Sequence, residues 1–233
     1  MTYAIDAPTL EAAMVRHCSP TLAALKPASL FTFPGRFVPE DPRSEKEVAV
    51  RRRSLCAVVA GCNAELRECG IAVRVLAWRS CGALVYVYRP AAVAAALCEE
   101  RVAARLRAAG YDPRNLPACL AELGRRLEGS DRRATAAPRH AEDGRPRPCP
   151  CARDACAGAF PHEVGFFLGY PYADVTGFID HEGRDYVATG LWKVYADRET
   201  ALATFARYRR CTSAYETAYR CHGTLSRLAV AAG

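Results

Sequence analysis

Cys18 follows His17 in the run HCSPTLAALKP, and His162 with Glu163 follows Pro161 in FPHEVGFFLGYP. A thiol beside an imidazole is the minimum set for nucleophilic or thiol-exchange chemistry. Ser19 and Pro20 read as the cap and first turn of a short helix over residues 20–26. That places Cys18 just before a helix N-terminus, whose positive dipole end favours a thiolate. On this reading Cys18 is the nucleophile or redox thiol. His162 is base or acid, because histidine titrates near neutrality, and Glu163 orients it. The plain alternative makes Cys18 a small buried residue and Glu163 a first-turn acid complementing a helix dipole.

The same four residues, His17, Cys18, His162 and Glu163, offer nitrogen, sulfur and oxygen donors suited to a transition metal. No C-x-x-C or H-x-x-x-H spacing supports that set. Cys149, Cys151 and Cys156 in CPCARDAC, with His140 as a fourth donor, form a second group of soft ligands. Their spacing fits no zinc or iron–sulfur pattern, and the same holds for Cys221 with His222. Arg89, Lys193 and Tyr195 make a candidate anion anchor. Lys193 and Tyr195 share a strand face by two-residue alternation, and a lysine is notable in this chain. The turn Leu168-Gly169-Tyr170-Pro171 leads into a helix start able to receive an anion, without a glycine-rich phosphate loop or dinucleotide fingerprint.

Composition limits the partners. The 233 residues carry 32 Lys+Arg, of which only Lys26, Lys46 and Lys193 are lysine, against 25 Asp+Glu, for a net charge of +7. The arginines are scattered among acids, with clusters only at residues 51–53 and 207–210, so nucleic-acid binding is not the favoured reading. No run approaches the ~20 apolar residues of a membrane span. The first residues include Asp6 and Glu11 and lack a basic start and apolar middle, so the expected location is the cytoplasm, with reduced thiols. Several of the 12 cysteines, such as Cys62 and Cys69, fall in apolar helical stripes and read as small hydrophobes.

The elements that must position these residues follow from periodicity. An amphipathic helix is expected over 1–16, then the 20–26 helix ended by Pro27, and a strand through SLFTF. Leu55, Val58, Val59, Cys62, Leu66 and Cys69 predict a helix over 48–69 closed by Gly70. Residues 71–78 and 83–88 flank the turn RSCG as a hairpin. Helices follow at 90–109, with a break near Cys98, and at 116–128. Residues 131–158 contain no large apolar residue but four Pro and six Arg, and are expected to form a mobile insertion. Pro171 opens a helix ended by Gly183, YVATGLWKVY (186–195) reads as a strand, and 198–220 as a helix with Ala201, Phe205, Tyr208, Thr212, Tyr215 and Tyr219 inward. The expected fold is one α+β domain spanning 1–233, with several helices packed on a small, mostly antiparallel sheet.

Four of these segments carry a resemblance. HCSPTLAALK, LVYVYRP (84–90), PHEVGFFLGYPYADVTGF (161–178) and LWKVYAD (191–197) resemble, in this order, the blocks of an uncharacterised bacterial family, a domain of unknown function. The resemblance covers most of the chain outside 131–158. It implies a compact bacterial cytoplasmic protein and brings no activity. Family members tend to be shorter, so the Arg/Pro/Cys-rich insertion is a departure. They often carry a cysteine before the Trp-Lys-Val-Tyr strand where this chain has Ala188, so no role transfers to that position.

The leading functional expectation is a thiol-dependent protein acting on a small anionic ligand through Cys18, His162 and Glu163, with Lys193 and Arg89 as anchor. Whether it turns a substrate over is left open. The alternative is a metal- or metallocofactor-binding accessory protein without turnover, and the third an Arg-rich nucleic-acid binder. Cofactor and oligomeric state are not specified by the sequence.

Overall fold

The computed structural model describes residues 4–136 and 160–231. The fold is α+β: three antiparallel strands lie between two layers of helices. Helix α1 (Ala7–Leu22) is capped by Asp6, whose carboxylate accepts from the Thr9 amide at 2.9 Å. Leu10, Met14, Cys18 and Leu22 recur every four residues, so one stripe of α1 is buried. Two helices were expected where this one lies. Ser19 does not cap a new helix; its hydroxyl donates back to the Val15 carbonyl within the same helix. Pro20 sits in the last turn, and the helix ends two residues beyond it.

Strands β1 (Ala28–Phe33), β2 (Ala72–Arg79) and β3 (Gly82–Tyr88) pair in the order β1-β3-β2. Central β3 presents Ala83, Val85 and Val87 to one face and Leu84, Tyr86 and Tyr88 to the other. Both faces are covered, which explains its continuous apolar character. The first face packs on α1 and on α2 (Glu45–Leu66). A bulge between Val75 and Ala77 turns both Leu76 and Ala77 to the second face. Gly82 is required at the hairpin: its φ is +141°, and a Cβ there would lie 2.5 Å from the Phe33 carbonyl oxygen.

The second face receives α3 (Pro90–Cys98), α4 (Glu100–Ala108) and α5 (Leu116–Ala136). The break expected near Cys98 is present because Glu99 caps α4, accepting from the Val102 amide at 3.0 Å. Helix α5 reaches Ala136, into the stretch expected to be a mobile insertion. The remainder of that stretch, with His140, Cys149, Cys151 and Cys156, lies outside the described residues. Short α6 (Val164–Phe167) and α7 (Tyr172–Asp180) complete this layer.

The strand expected over 186–195 is instead a small hairpin, β4 (Ala188–Thr189) with β5 (Lys193–Val194), folded at Gly190. Helix α8 (Arg198–His222) starts at Asp197, whose carboxylate accepts from the Thr200 amide at 3.0 Å, and packs along α1. The chain then returns, burying Leu225 and pairing the Val230 amide with the Leu22 carbonyl at 3.0 Å. Cysteines among the described residues are free thiols, and Cys18, Cys62 and Cys119 are buried as packing. Among the described residues no helix is long and apolar enough to cross a membrane.

Candidate functional site

Cys18 is placed inside the continuous helix α1, one turn before its C-terminal end and not before a helix start, so the argument for an activated thiolate is overturned. The C-terminal end of a helix carries the negative end of the dipole. The thiol is fully buried, and burial pushes it well above its ordinary range despite the neighbouring Lys26 and Ser29. It is a protonated core group at neutral pH.

Glu163, expected to orient His162, immediately precedes α6, with its carboxylate committed elsewhere. Its Oε1 accepts from Arg126 Nη1 at 2.8 Å and from the Tyr111 hydroxyl at 3.4 Å. Arg126 also donates to Glu122 and to the Ala109 carbonyl, so the cluster ties α5 to the α4–α5 turn and to the start of α6. The His162 ring lies between Phe160 and Phe178, at 5.4 and 4.8 Å.

Arg89 is not an anion anchor. It is 4% exposed, and its guanidinium donates to the carbonyls of Thr21, Leu22, Cys69 and Val230 at 2.7–3.0 Å. Two of those are carbonyls left over at the end of α1. Lys193 Nζ donates to the Gly183 carbonyl at 2.6 Å and lies over the Tyr186 ring. Tyr195 stacks on His181, and its amide donates to Asp174 at 2.7 Å. Arg89 thus lies at the end of α1, apart from the hairpin that carries Lys193.

Two cavities meet along Tyr170 and Leu191. The first, about 440 Å³, is lined by Arg16, His17 and Pro20 of α1, by Lys26 and Ser29, and by Arg209, Thr212, Ser213 and Glu216 of α8. The spacing of 209, 212, 213 and 216 puts one polar stripe of α8 on the cavity. The second, about 350 Å³, is lined by rings of Phe160, His162, Tyr170, Phe178 and Trp192, together with Lys193. His17 and His162 therefore face adjoining cavities, while Cys18 and Glu163 line neither. Among the described residues no group of three or more His, Cys, Asp or Glu is placed to hold a metal, so the His17, Cys18, His162 and Glu163 set is not assembled.

Lys26 is the residue the sequence reading passed over. After Leu22 the chain turns tightly, with Ala24 in the left-handed region, and the amides of Leu25 and Lys26 both donate to the Pro20 carbonyl at 2.8 and 3.1 Å. This turn carries Lys26 to the cavity, where Nζ lies 4.8 Å from the centre of the Tyr170 ring. Gly169 makes that possible: its φ is +69°, and a Cβ would lie 2.2 Å from the Pro27 ring. Burial brings the Lys26 ammonium down to about 8, against a smaller opposing effect of Cys18. His17 stacks on Phe31 and is lowered by burial and then by Arg16, with Glu216 opposing. Among the described residues Arg16, Lys26 and Arg209 make no ion pair, whereas Arg105, Arg125, Arg126 and Arg184 all do. The available sequence signal was the rarity of lysine and its place directly before Pro27.

A family model of proteins of unknown function, DUF3793, matches residues 14–229, which include every residue of both cavities. No curated protein and no solved structure matches the chain.

Proposed function

We propose, for a chain that belongs to the DUF3793 family of proteins of unknown function, that its role is to bind a small anionic molecule in the cavity between α1 and α8. The observation that carries this reading is the grouping of Arg16, Lys26 and Arg209 around one cavity, without ion-pair partners among the described residues and with Glu216 as the single carboxylate in the lining. A half-buried ammonium is costly unless something compensates it, and an anion would do so. Thr212 and Ser213 add hydroxyls that suit a phosphate or carboxylate, whereas the Ser29 hydroxyl is paired with that of Thr21 at 2.9 Å. Lys26 takes the anchoring role first sought in Arg89 and Lys193. The thiol part of the earlier expectation is set aside, because Cys18 is buried and protonated.

Titration calorimetry with inorganic phosphate and with acetate tests this, using the full chain and Lys26→Met. Binding should weaken about tenfold or more in the variant. It should also weaken as pH rises through about 8, because Lys26 loses its charge there. Equal affinity in both proteins, or no binding to the wild-type chain, overturns the reading.

A further inference from the structure

The second cavity differs in kind from the first. Phe160, Phe178, Tyr170 and Trp192 line much of it, and its charged side chains Asp174 and Lys193 are engaged by the protein itself. Asp174, 4% exposed, accepts from the Trp192 indole at 2.7 Å through one oxygen and from the Tyr195 and Ala196 amides through the other. That carboxylate fixes the Trp192 ring rather than facing a ligand. Lys193 is similarly engaged with the Gly183 carbonyl. What remains for a ligand is aromatic surface, suited to stacking or edge contact with another ring.

The boundary between the cavities is made of two side chains with different duties. Tyr170 stacks on Trp192, with ring centres 4.8 Å apart, and also carries Lys26 on its ring. Leu191 is 49% exposed, large and apolar, and lines both spaces. Each cavity alone is near the lower end of the roughly 300–1,000 Å³ typical of ligand sites. A single molecule reaching across the boundary would use aromatic and cationic surface together.

We propose that the two cavities form one bipartite site for an aryl anion, with an aromatic ring between Phe160, Phe178 and Trp192 and its phosphate or carboxylate group beside Lys26. This rests on the anion-binding reading and adds the identity of the apolar part. The ring is held by stacking and by exclusion of water beneath Leu191, and the charge by Lys26, Arg16 and Arg209.

The test compares phenyl phosphate with inorganic phosphate, and benzoate with acetate, by calorimetry, while Trp192 fluorescence is followed. The aryl member of the preferred pair should bind at least tenfold more tightly and change the emission. Which pair shows the gain distinguishes a phosphate from a carboxylate ligand. In Phe178→Ala the affinity ratio should fall towards one. Leu191→Glu, at a position 49% exposed, should weaken the aryl ligand by placing a carboxylate at the boundary, with circular dichroism checking that the variant is folded. Equal affinities within both pairs overturn the bipartite site while leaving the anion pocket standing. Aryl binding unaffected by Phe178→Ala and Leu191→Glu also overturns it. Failure of all four ligands removes both proposals.

Discussion

At the scale of single residues, Lys26 sits in surroundings that oppose its own charge. A group whose folded pKa is brought down from 10.5 to about 8 is bound by fewer protons in the folded than in the unfolded state between those values. Its charge therefore costs stability most below about pH 8, and the cost fades as pH rises towards 10.5. Lys26→Met, which keeps the stem and removes the charge, should stabilise the ligand-free protein by on the order of 1–3 kcal/mol at pH 7. Thermal unfolding of both proteins at pH 7 and pH 10 checks this, and the gap should narrow at the higher pH. A variant that is more stable yet binds phosphate poorly is the pattern expected of a site residue. Cys18 shows the opposite case. Its type and its neighbour His17 suggested chemistry, but the side chain belongs to the packed stripe of α1. A cysteine in a core and one at a helix start look alike until the helix boundary is known.

At the scale of elements, the end of α1 decides where the site is. Four carbonyls, two of them from the last turn of that helix, converge on the Arg89 guanidinium, and the turn that follows delivers Lys26. Arg89→Lys keeps the charge but cannot reach four acceptors with a planar fork. It should cost about 1–3 kcal/mol, since buried carbonyls lose their partners. Hydrogen exchange should show the amides of Ala23, Leu25 and Lys26 opening faster, with weaker phosphate binding as the consequence. The hairpin β2–β3 was legible because alternation, a turn and Gly82 agree with one another. The α1 boundary was not, because Ser19-Pro20 is compatible both with a new helix start and with the final turn of an existing one. Tertiary contacts settled it: Leu22 is buried in the core and its carbonyl is bound by both Arg89 and Val230.

At the scale of the whole molecule, helices on both faces of β3 make each layer depend on the others. The segment after α8 contributes Leu225 to the same core as α1 and the sheet. Leu225→Ala should destabilise the protein by about 2–5 kcal/mol. Urea unfolding followed by circular dichroism and by tryptophan fluorescence should still give one coincident transition, as a single cooperative unit requires. Separate transitions would divide the chain into two units.

The amino-acid sequence by itself determined the α+β class, the hairpin, the break at Glu99, the long α8 with its inward Phe205 and Tyr208, and membership of an uncharacterised family. All but the last depend on local periodicity, capping and turn chemistry, which neighbouring residues specify; the family is carried by the match of four separated segments in order. Only the tertiary structure decided that Arg89 is a buried brace, that Glu163 serves Arg126, and that Lys26 rather than Cys18 faces a cavity. Those outcomes depend on burial and on partners many residues away. Desolvation and long-range hydrogen bonds fix the state of a titratable side chain, and neither is written in the spacing around it.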